Sequence, residues 1–370
     1  MHRPTTSMRR GARLLVVFTV ATVATFAVTP AANGPAPAPD PELTRQWHLG
    51  IIGVPAAWER STGSGVVVAV LDSGITPGPD LSCRRFVAEY DAVTRSQVPV
   101  TDVSGHGTHV AGTIAECSRN GVAGAGVAPD AFLMDVRILG SATGGGGEGS
   151  YEDLAAAIRF AVAHGASVIN MSVSAGCDVA TPTYASGCRD ADVDAAIADA
   201  VAHDIVLVAA AGNDATDRLS YPANHPDVIA VSAVDGSLNS PAYGTTGDQI
   251  DLSAPGGANV DTDSDGSLDH VMQESYDPTT ATWSLTGLYG SSHAAAHVTG
   301  VVALLRSADP AATAVDVRRI LIDSSCDLGE PGDDPLFGAG LLQAGRALEL
   351  LLDGAPASQC AILGGGTRTQ

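Results

Sequence analysis

Gly290-Ser291-Ser292-His293-Ala294-Ala295-Ala296-His297-Val298-Thr299-Gly300 is the stretch that decides how the rest of the chain is read. A small-residue turn runs straight into alanines and aliphatics that continue to Leu305. Apolar side chains fall on nearly every side of such a helix, which predicts that it is buried in the middle of a domain. A serine at its mouth lies near unpaired backbone N–H groups and the positive end of the helix dipole. That position suits an N-cap, which satisfies those donors, as well as a reactive hydroxyl that exploits them. The surrounding sequence has to choose.

A helix buried on all sides needs layers to bury it. Val66–Leu71 is a continuous apolar run suited to a strand covered on both faces, as are Ser167–Val173 and Ile205–Ala210. Ala131–Ile138 and Val228–Val234 also read as strands. Between them, His106–Ile114, Tyr151–His164 and Val193–His203 carry helical patterns. Strand and helix alternating in this order predict an α/β fold with a mostly parallel sheet and helices on both faces. In such a fold the active site lies at the carboxyl ends of the strands.

Composition narrows the function. The 370 residues are 45% hydrophobic and only 4% aromatic, so alanine and aliphatic side chains must fill the core. All 19 basic residues are arginine, set against 41 acidic ones, for a net charge of -22. That charge repels polyanions and argues against nucleic acid as a partner. Gly144-Gly145-Gly146-Gly147 lies in a glycine-rich stretch, but a chain without lysine has no phosphate-binding P-loop. The six cysteines, Cys83, Cys117, Cys177, Cys188, Cys326 and Cys360, include no CxxC pair. They fit three disulfides in an oxidising compartment, paired as neighbours in sequence and above all Cys177 with Cys188.

Residues 1–32 read as a secretory signal peptide: Arg3, Arg9, Arg10 and Arg13 precede the apolar run Leu14–Val28, and Ala31 or Ala32 marks the cleavage site. Residues 33–45 form a Pro/Ala-rich linker, expected to be extended. The folded domain is expected over 46–352, with a tail over 353–370. No later segment suggests a membrane crossing, so a secreted, monomeric protein is expected.

The chemistry gathers at the ends of the buried elements. Val66–Leu71 ends at Asp72-Ser73-Gly74, a carboxylate at the carboxyl end of a strand. Gly105-His106-Gly107 places an imidazole at the mouth of a helix, and Gly290–His293 places a hydroxyl at the mouth of another. Asp, His and Ser are the parts of a nucleophilic triad. Ala211-Gly212-Asn213-Asp214 leaves a strand and offers the Asn213 amide to an oxyanion. Each residue alone has a structural reading, as a turn cap, a core histidine or an Asx turn. The four together at element ends of one domain favour the catalytic one.

These residues resemble the subtilisin-like serine proteases (subtilases, peptidase family S8). Val70-Leu71-Asp72-Ser73-Gly74-Ile75 resembles the family's aspartate motif, and Gly105-His106-Gly107-Thr108-His109-Val110-Ala111-Gly112 its histidine motif. Gly290–Gly300 is similar to its serine motif, Val168–Ser172 to the strand bordering the substrate cleft, and Ala210–Asn213 to the oxyanion segment. Tyr221-Pro222-Ala223 and Ser253–Gly257 are further signatures, so the resemblance runs from Gln46 to Ala347. It implies a three-layer subtilisin-like fold and a secreted endopeptidase that acts on polypeptides through an acyl-enzyme. It implies Asp72, His106 and Ser292 as catalytic residues, with Asn213 in the oxyanion hole; on the reading of the stretch itself, Ser291 is left to cap the helix. Gly140–Gly149 and Ser172–Gly176 are implied as the rims that pair with an extended substrate.

The chain departs from the family in places. Ser291, His293 and Ala296 stand where the family motif has threonine, methionine and proline. Only about a dozen residues separate the expected cleavage site from Gln46, fewer than the folding propeptide such enzymes often carry. Folding is therefore expected to rely on disulfides, metal or a partner in trans. Asp261, Asp263, Asp265 and Asp269 occupy positions 1, 3, 5 and 9 of a partial EF-hand loop, with Gly266 at 6 and Met272 in place of the glutamate at 12. Structural calcium and a solvated acidic turn are both open there. His293 and the short pre-domain segment support one rival function, a pseudoprotease that binds peptides without cutting them. An esterase is disfavoured, since Gly290–Ala294 is not G-x-S-x-G and the order is Asp, His, Ser.

Overall fold

In a computed structural model of the chain, the run from Val66 forms the strand on which the sheet turns. The structure describes residues 38–140, 149–174, 189–355 and 360, all within one unit spanning Pro37–Gln370. The signal segment, the four-glycine run, the end of the second rim, and Cys177 and Cys188 lie outside the described residues.

In chain order the elements are α1 (Trp47–Ile51), α2 (Val54–Ala57), β1 (Val67–Asp72), β2 (Phe86–Asp91), α3 (His106–Ala115), β3 (Phe132–Arg137), α4 (Tyr151–Ala163) and β4 (Val168–Met171). There follow α5 (Ala191–Ala202), β5 (Val206–Ala210), β6 (Ile229–Val234), β7 (Leu252–Pro255), β8 (Val271–Asp277) and β9 (Thr282–Leu288). The chain closes with α6 (Ser291–Ala308), α7 (Ala314–Ser324) and α8 (Ala344–Asp353).

Among the described residues, seven strands form one parallel sheet in the order β2-β3-β1-β4-β5-β6-β7. Alternate residues of each strand enter separate cores. Val68 and Val70 of β1 share a core with residues of α3, α6 and α8, whereas Ala69 and Leu71 share one with residues of α4 and α5. Burial on both faces is why these strands read as unbroken apolar runs. The order reverses at β1, which has β3 on one side and β4 on the other. A crevice outside the carboxyl end of such a strand is where open α/β sheets place their sites. Asp72 is the last residue of β1.

Helix α6 runs through the middle, buried from Ser291 to Leu305. Gly300 is required by close approach: a Cβ there would stand 2.5 Å from Val127 Cβ. Cys83 pairs with Cys117 and Cys326 with Cys360, the neighbour pairing expected. Of the segment expected to be an extended linker, residues 38–45 are described and carry a 3-10 turn at Leu43–Arg45. Asp40 there is buried, and its carboxylate accepts the backbone N–H groups of Arg119, Asn120 and Gly121.

No sequence pattern announces the antiparallel hairpin β8–β9. Its buried side chains include Gln273 and Glu274, which in sequence look like a solvated face. It lies on α3 and is tied to it and to the N-terminal turn. Glu116 accepts the Glu274 N–H, Gln46 donates to the Met272 carbonyl, and Ser275 donates to the Gly105 carbonyl.

Candidate active site

The end of β1 and the start of α3 meet side chain to side chain. Asp72 is fully buried, and its Oδ1 accepts the Ser73 N–H at 2.7 Å and faces His106 Nδ1 at 2.8 Å. His106 can approach because its neighbours are glycines. Gly105 adopts φ +88, and a Cβ on Gly107 would collide with the Gly74 carbonyl. With Nδ1–H donated to Asp72, the lone pair of the neutral ring is on Nε2. Burial pulls the His106 pKa down, but the charge and hydrogen bond of Asp72 outweigh it, so the net shift is upward from 6.5.

Asp102, which sequence reasoning missed, holds the turn in front of His106. Its buried carboxylate accepts the Ser73 hydroxyl at 2.7 Å and the Ser104 and Gly105 N–H groups at 2.9 and 2.8 Å. It also accepts the N–H and hydroxyl of Thr108 at 2.9 and 2.6 Å. The only signal was an aspartate three residues before a helix-opening glycine, a pattern shared with ordinary Asx turns.

The turn before α6 meets the end of β5. The cap expected of Ser291 is not made: Gly290 is the N-cap, and no side chain caps the helix. Ser291 holds Asn213 instead. Its N–H donates to Asn213 Oδ1 at 2.8 Å, and its hydroxyl lies 2.9 Å from the same oxygen and 3.1 Å from the Gly212 carbonyl. A backbone N–H must face an acceptor, so the oxygen of Asn213 is the inward atom and its NH2 group is left to donate elsewhere.

Ser292 is buried, with its hydroxyl donating to the Ser172 carbonyl at 3.2 Å. The Ser172 hydroxyl returns a bond to the Ser292 carbonyl at 2.7 Å and accepts from Asn170 at 2.9 Å. Thr299, two turns along α6, donates to Asn170 at 2.9 Å. The first turn of α6 is thus fastened to β4.

His293 is buried between α6 and α3. Its ring centroid lies 4.6 Å from that of His109 and 5.8 Å from that of His106. Among the described residues its Nδ1 has no hydrogen-bond partner, and burial, reinforced by the neighbouring imidazoles, holds its pKa well below 6.5. The structure therefore brings Asp72, His106, Ser292 and Asn213 to the carboxyl edge of the sheet, with His293 beside them.

The acidic loop behaves differently. Asp261, Asp263 and Asp265 are exposed, and their carboxylates lie within 4.8 Å of one another. The amides of Gly266, Asp265 and Ser267 fold the loop back onto these carboxylates. Asp269 is turned inward, accepting the Gly236 N–H at 3.0 Å and the Thr262 hydroxyl.

The sequence profile of the subtilase family matches residues 63–340. M-protease of Shouchella clausii is 34% identical over 302 residues, covering 81% of this chain and 69% of that protein. Subtilisin Savinase of Lederbergia lenta is 33% identical, covering 81% of this chain and 97% of that one. Among solved structures, a protease from Pseudoalteromonas arctica superposes with a TM-score of 0.74 at 30% identity. That match covers 85% of this chain and all of the other.

Proposed function

The chain belongs to the subtilase family and is a subtilisin-like serine protease, and within that activity we propose that Asp72, His106 and Ser292 act as its triad. Ser292 Oγ leaves the Ser172 carbonyl and attacks the scissile carbonyl while His106 Nε2 takes its proton. Asp72 holds the ring in the tautomer that makes Nε2 the base and stabilises the imidazolium. The Asn213 NH2 group and the N–H groups at the start of α6 receive the oxyanion. His106 returns the proton to the leaving amine, and water releases the acyl group by the same steps. The observation that carries this reading is the 2.8 Å contact of His106 Nδ1 with Asp72, which leaves Nε2 as the free base.

A fluorophosphonate probe tests it: the protein should be labelled at Ser292, and Ser292→Ala should neither label nor cut peptides. Labelling at Ser291, or cleavage by Ser292→Ala, refutes the assignment. The same probe decides against the peptide-binding alternative. His293, which motivated that alternative, packs on His106 and leaves its bond to Asp72 intact.

We further propose that Asp261, Asp263 and Asp265 hold a structural calcium ion. Three carboxylates within 4.8 Å, on a loop already folded by its own amides, fit a hard cation with oxygen ligands. Asp269 does not join them, because its oxygens serve Gly236 and Thr262. Bound calcium would pin the loop that leads into β8. Calcium should raise the melting temperature of the wild type and not of Asp263→Ala; equal responses remove the idea. Export through the signal segment 1–32 is proposed on the sequence pattern, and N-terminal sequencing of protein from the culture medium tests it. A monomer, acting on polypeptides and not on nucleic acid, is proposed for the exported enzyme.

A further inference from the structure

Five of the chain's ten histidines gather at the foot of α6: His48 on α1, His109 on α3, and His293 and His297 on α6 are buried, and His106 on α3 stands partly exposed beside them. Side-chain contacts link them. His48 Nδ1 lies 2.8 Å from His297 Nε2, and His297 Nδ1 lies 2.7 Å from the His293 carbonyl. His109 Nε2 lies 3.0 Å from the Thr286 carbonyl of the hairpin. A carbonyl only accepts, so His297 carries its proton on Nδ1 and its Nε2 is a lone pair. His48 must then donate from Nδ1. The result is a directed ladder from His48 through His297 to the carbonyl of the residue after Ser292.

No acid takes part in it. His48 and His297 are fully enclosed, and the groups facing them are His109 and His293, the indole of Trp47, and backbone. The carboxylates that act on the group, Asp72 and Asp102, act on His106, and Asp72 is bonded to it. Among the described residues His48 Nε2, His109 Nδ1 and His293 Nδ1 make no hydrogen bond, and besides the carbonyl bonds already named, only the backbone of Met272 and Val271 favours a proton on His48 and His109. Burial, the largest influence on each, keeps His48, His109, His293 and His297 on the neutral side of 6.5, with His297 near about 4. His106 moves the opposite way, because it alone has a carboxylate.

We propose that the His48–His297 ladder positions the turn bearing Ser292, and that proton uptake by the neutral histidines sets the lowest pH the folded enzyme survives. The proposal rests on Ser292 being the nucleophile. His48 and His297 are positioning residues that touch no reacting atom. Acid then acts twice. Protonation of His106 switches activity off reversibly, and forced protonation of the enclosed group opens the foot of α6.

The test compares the full-length wild type with His48→Asn, which keeps an N–H donor but cannot titrate, and His48→Leu, which has no donor. At pH 8, His48→Leu should lose on the order of tenfold in kcat with KM little changed, as expected for one lost buried hydrogen bond, and His48→Asn should recover most of it. After incubation in acid and return to pH 8, the midpoint of irreversible loss should lie lower for His48→Asn than for wild type. The reversible acid limb of kcat/KM should coincide for the two. Equal kcat in wild type and His48→Leu, or equal inactivation midpoints in wild type and His48→Asn, overturns the proposal. If His48→Leu does not fold, imidazole NMR of Ser292→Ala decides. The His48 and His297 signals should stay neutral until the protein unfolds, and titration of either near 6.5 in the folded state refutes the idea. Failure of the nucleophile assignment would appear separately, as cleavage by Ser292→Ala.

Discussion

Ser291→Ala offers a sharp test of how the Asn213 amide, proposed to receive the oxyanion, is held. The Asn213 oxygen is gripped by two groups of one residue, the Ser291 N–H at 2.8 Å and its hydroxyl at 2.9 Å. Removing the hydroxyl leaves the backbone donor in place, so the amide should loosen without turning over. The same change takes the acceptor from the buried Gly212 N–H at 3.3 Å. One neutral hydrogen bond contributes about 1 kcal/mol, rising to about 1.5 kcal/mol where a buried group is left unmet. At about 1.4 kcal/mol per factor of ten, kcat should fall about five- to tenfold. KM should hardly move, because a misaimed donor is missed in the transition state and not in the bound substrate. Steady-state kinetics on a chromogenic peptide measures both constants, with Ser291→Thr as the control that restores the hydroxyl. An unchanged kcat, or a loss carried wholly by KM, would falsify the assignment of Ser291 as the holder of Asn213.

His106 should titrate above 6.5 in the free enzyme, since Asp72 stabilises its imidazolium, so kcat/KM should fall on acidification with a midpoint above 6.5. Asp72→Asn should lower that midpoint, and an identical pH profile would remove the pair from the mechanism. For stability the sign reverses at His297. Its folded pKa, about 4, lies below the unfolded 6.5, so its contribution is full above pH 6.5 and is lost as pH falls toward about 4. The full gap of about 2.5 pH units corresponds to about 3 kcal/mol, of which about 2.4 kcal/mol should appear between pH 7 and pH 4.5 in urea unfolding of Ser292→Ala. Arg318 donates to Asp251 at 2.7 Å and to the Pro226 carbonyl at 2.6 Å. Arg318→Leu should cost about 2 kcal/mol by leaving the enclosed Asp251 without its cation; a loss under half of that would show the pair is solvated.

Sequence alone carried the sheet far. Val66–Leu71, Ile205–Ala210 and Val228–Val234 lie within one residue of β1, β5 and β6, because a strand buried on both faces has no polar position to blur its ends. The helix at Gly290 was legible for the same reason. The hairpin β8–β9 was not, since Gln273 and Glu274 are buried by partners more than a hundred residues away, Gln46 and Glu116. The places of Asp72, His106, Ser292 and Asn213 in the fold were legible because each stands at the end of a recognisable element. Asp102 and the work of Ser291 were hidden, as both act through bonds that local sequence does not encode. The histidine group was missed because its members come from opposite ends of the chain and meet only in the fold.

That separation bears on how the molecule comes together. The His48–His297 contact closes a loop of 249 residues, Gln46–Gln273 one of 227, and Arg60–Asp353 one of 293. Contacts of such reach make a chain slow to fold, because entropy is lost in closing the loops before the contacts return anything. A nascent chain that has presented Asp72 and His106 still lacks the helix bearing Ser292, which follows β9. If Ser292 is the nucleophile, as proposed, competence to cut arrives only once α6 has been made. The protein is guarded during synthesis by the order in which its own parts appear.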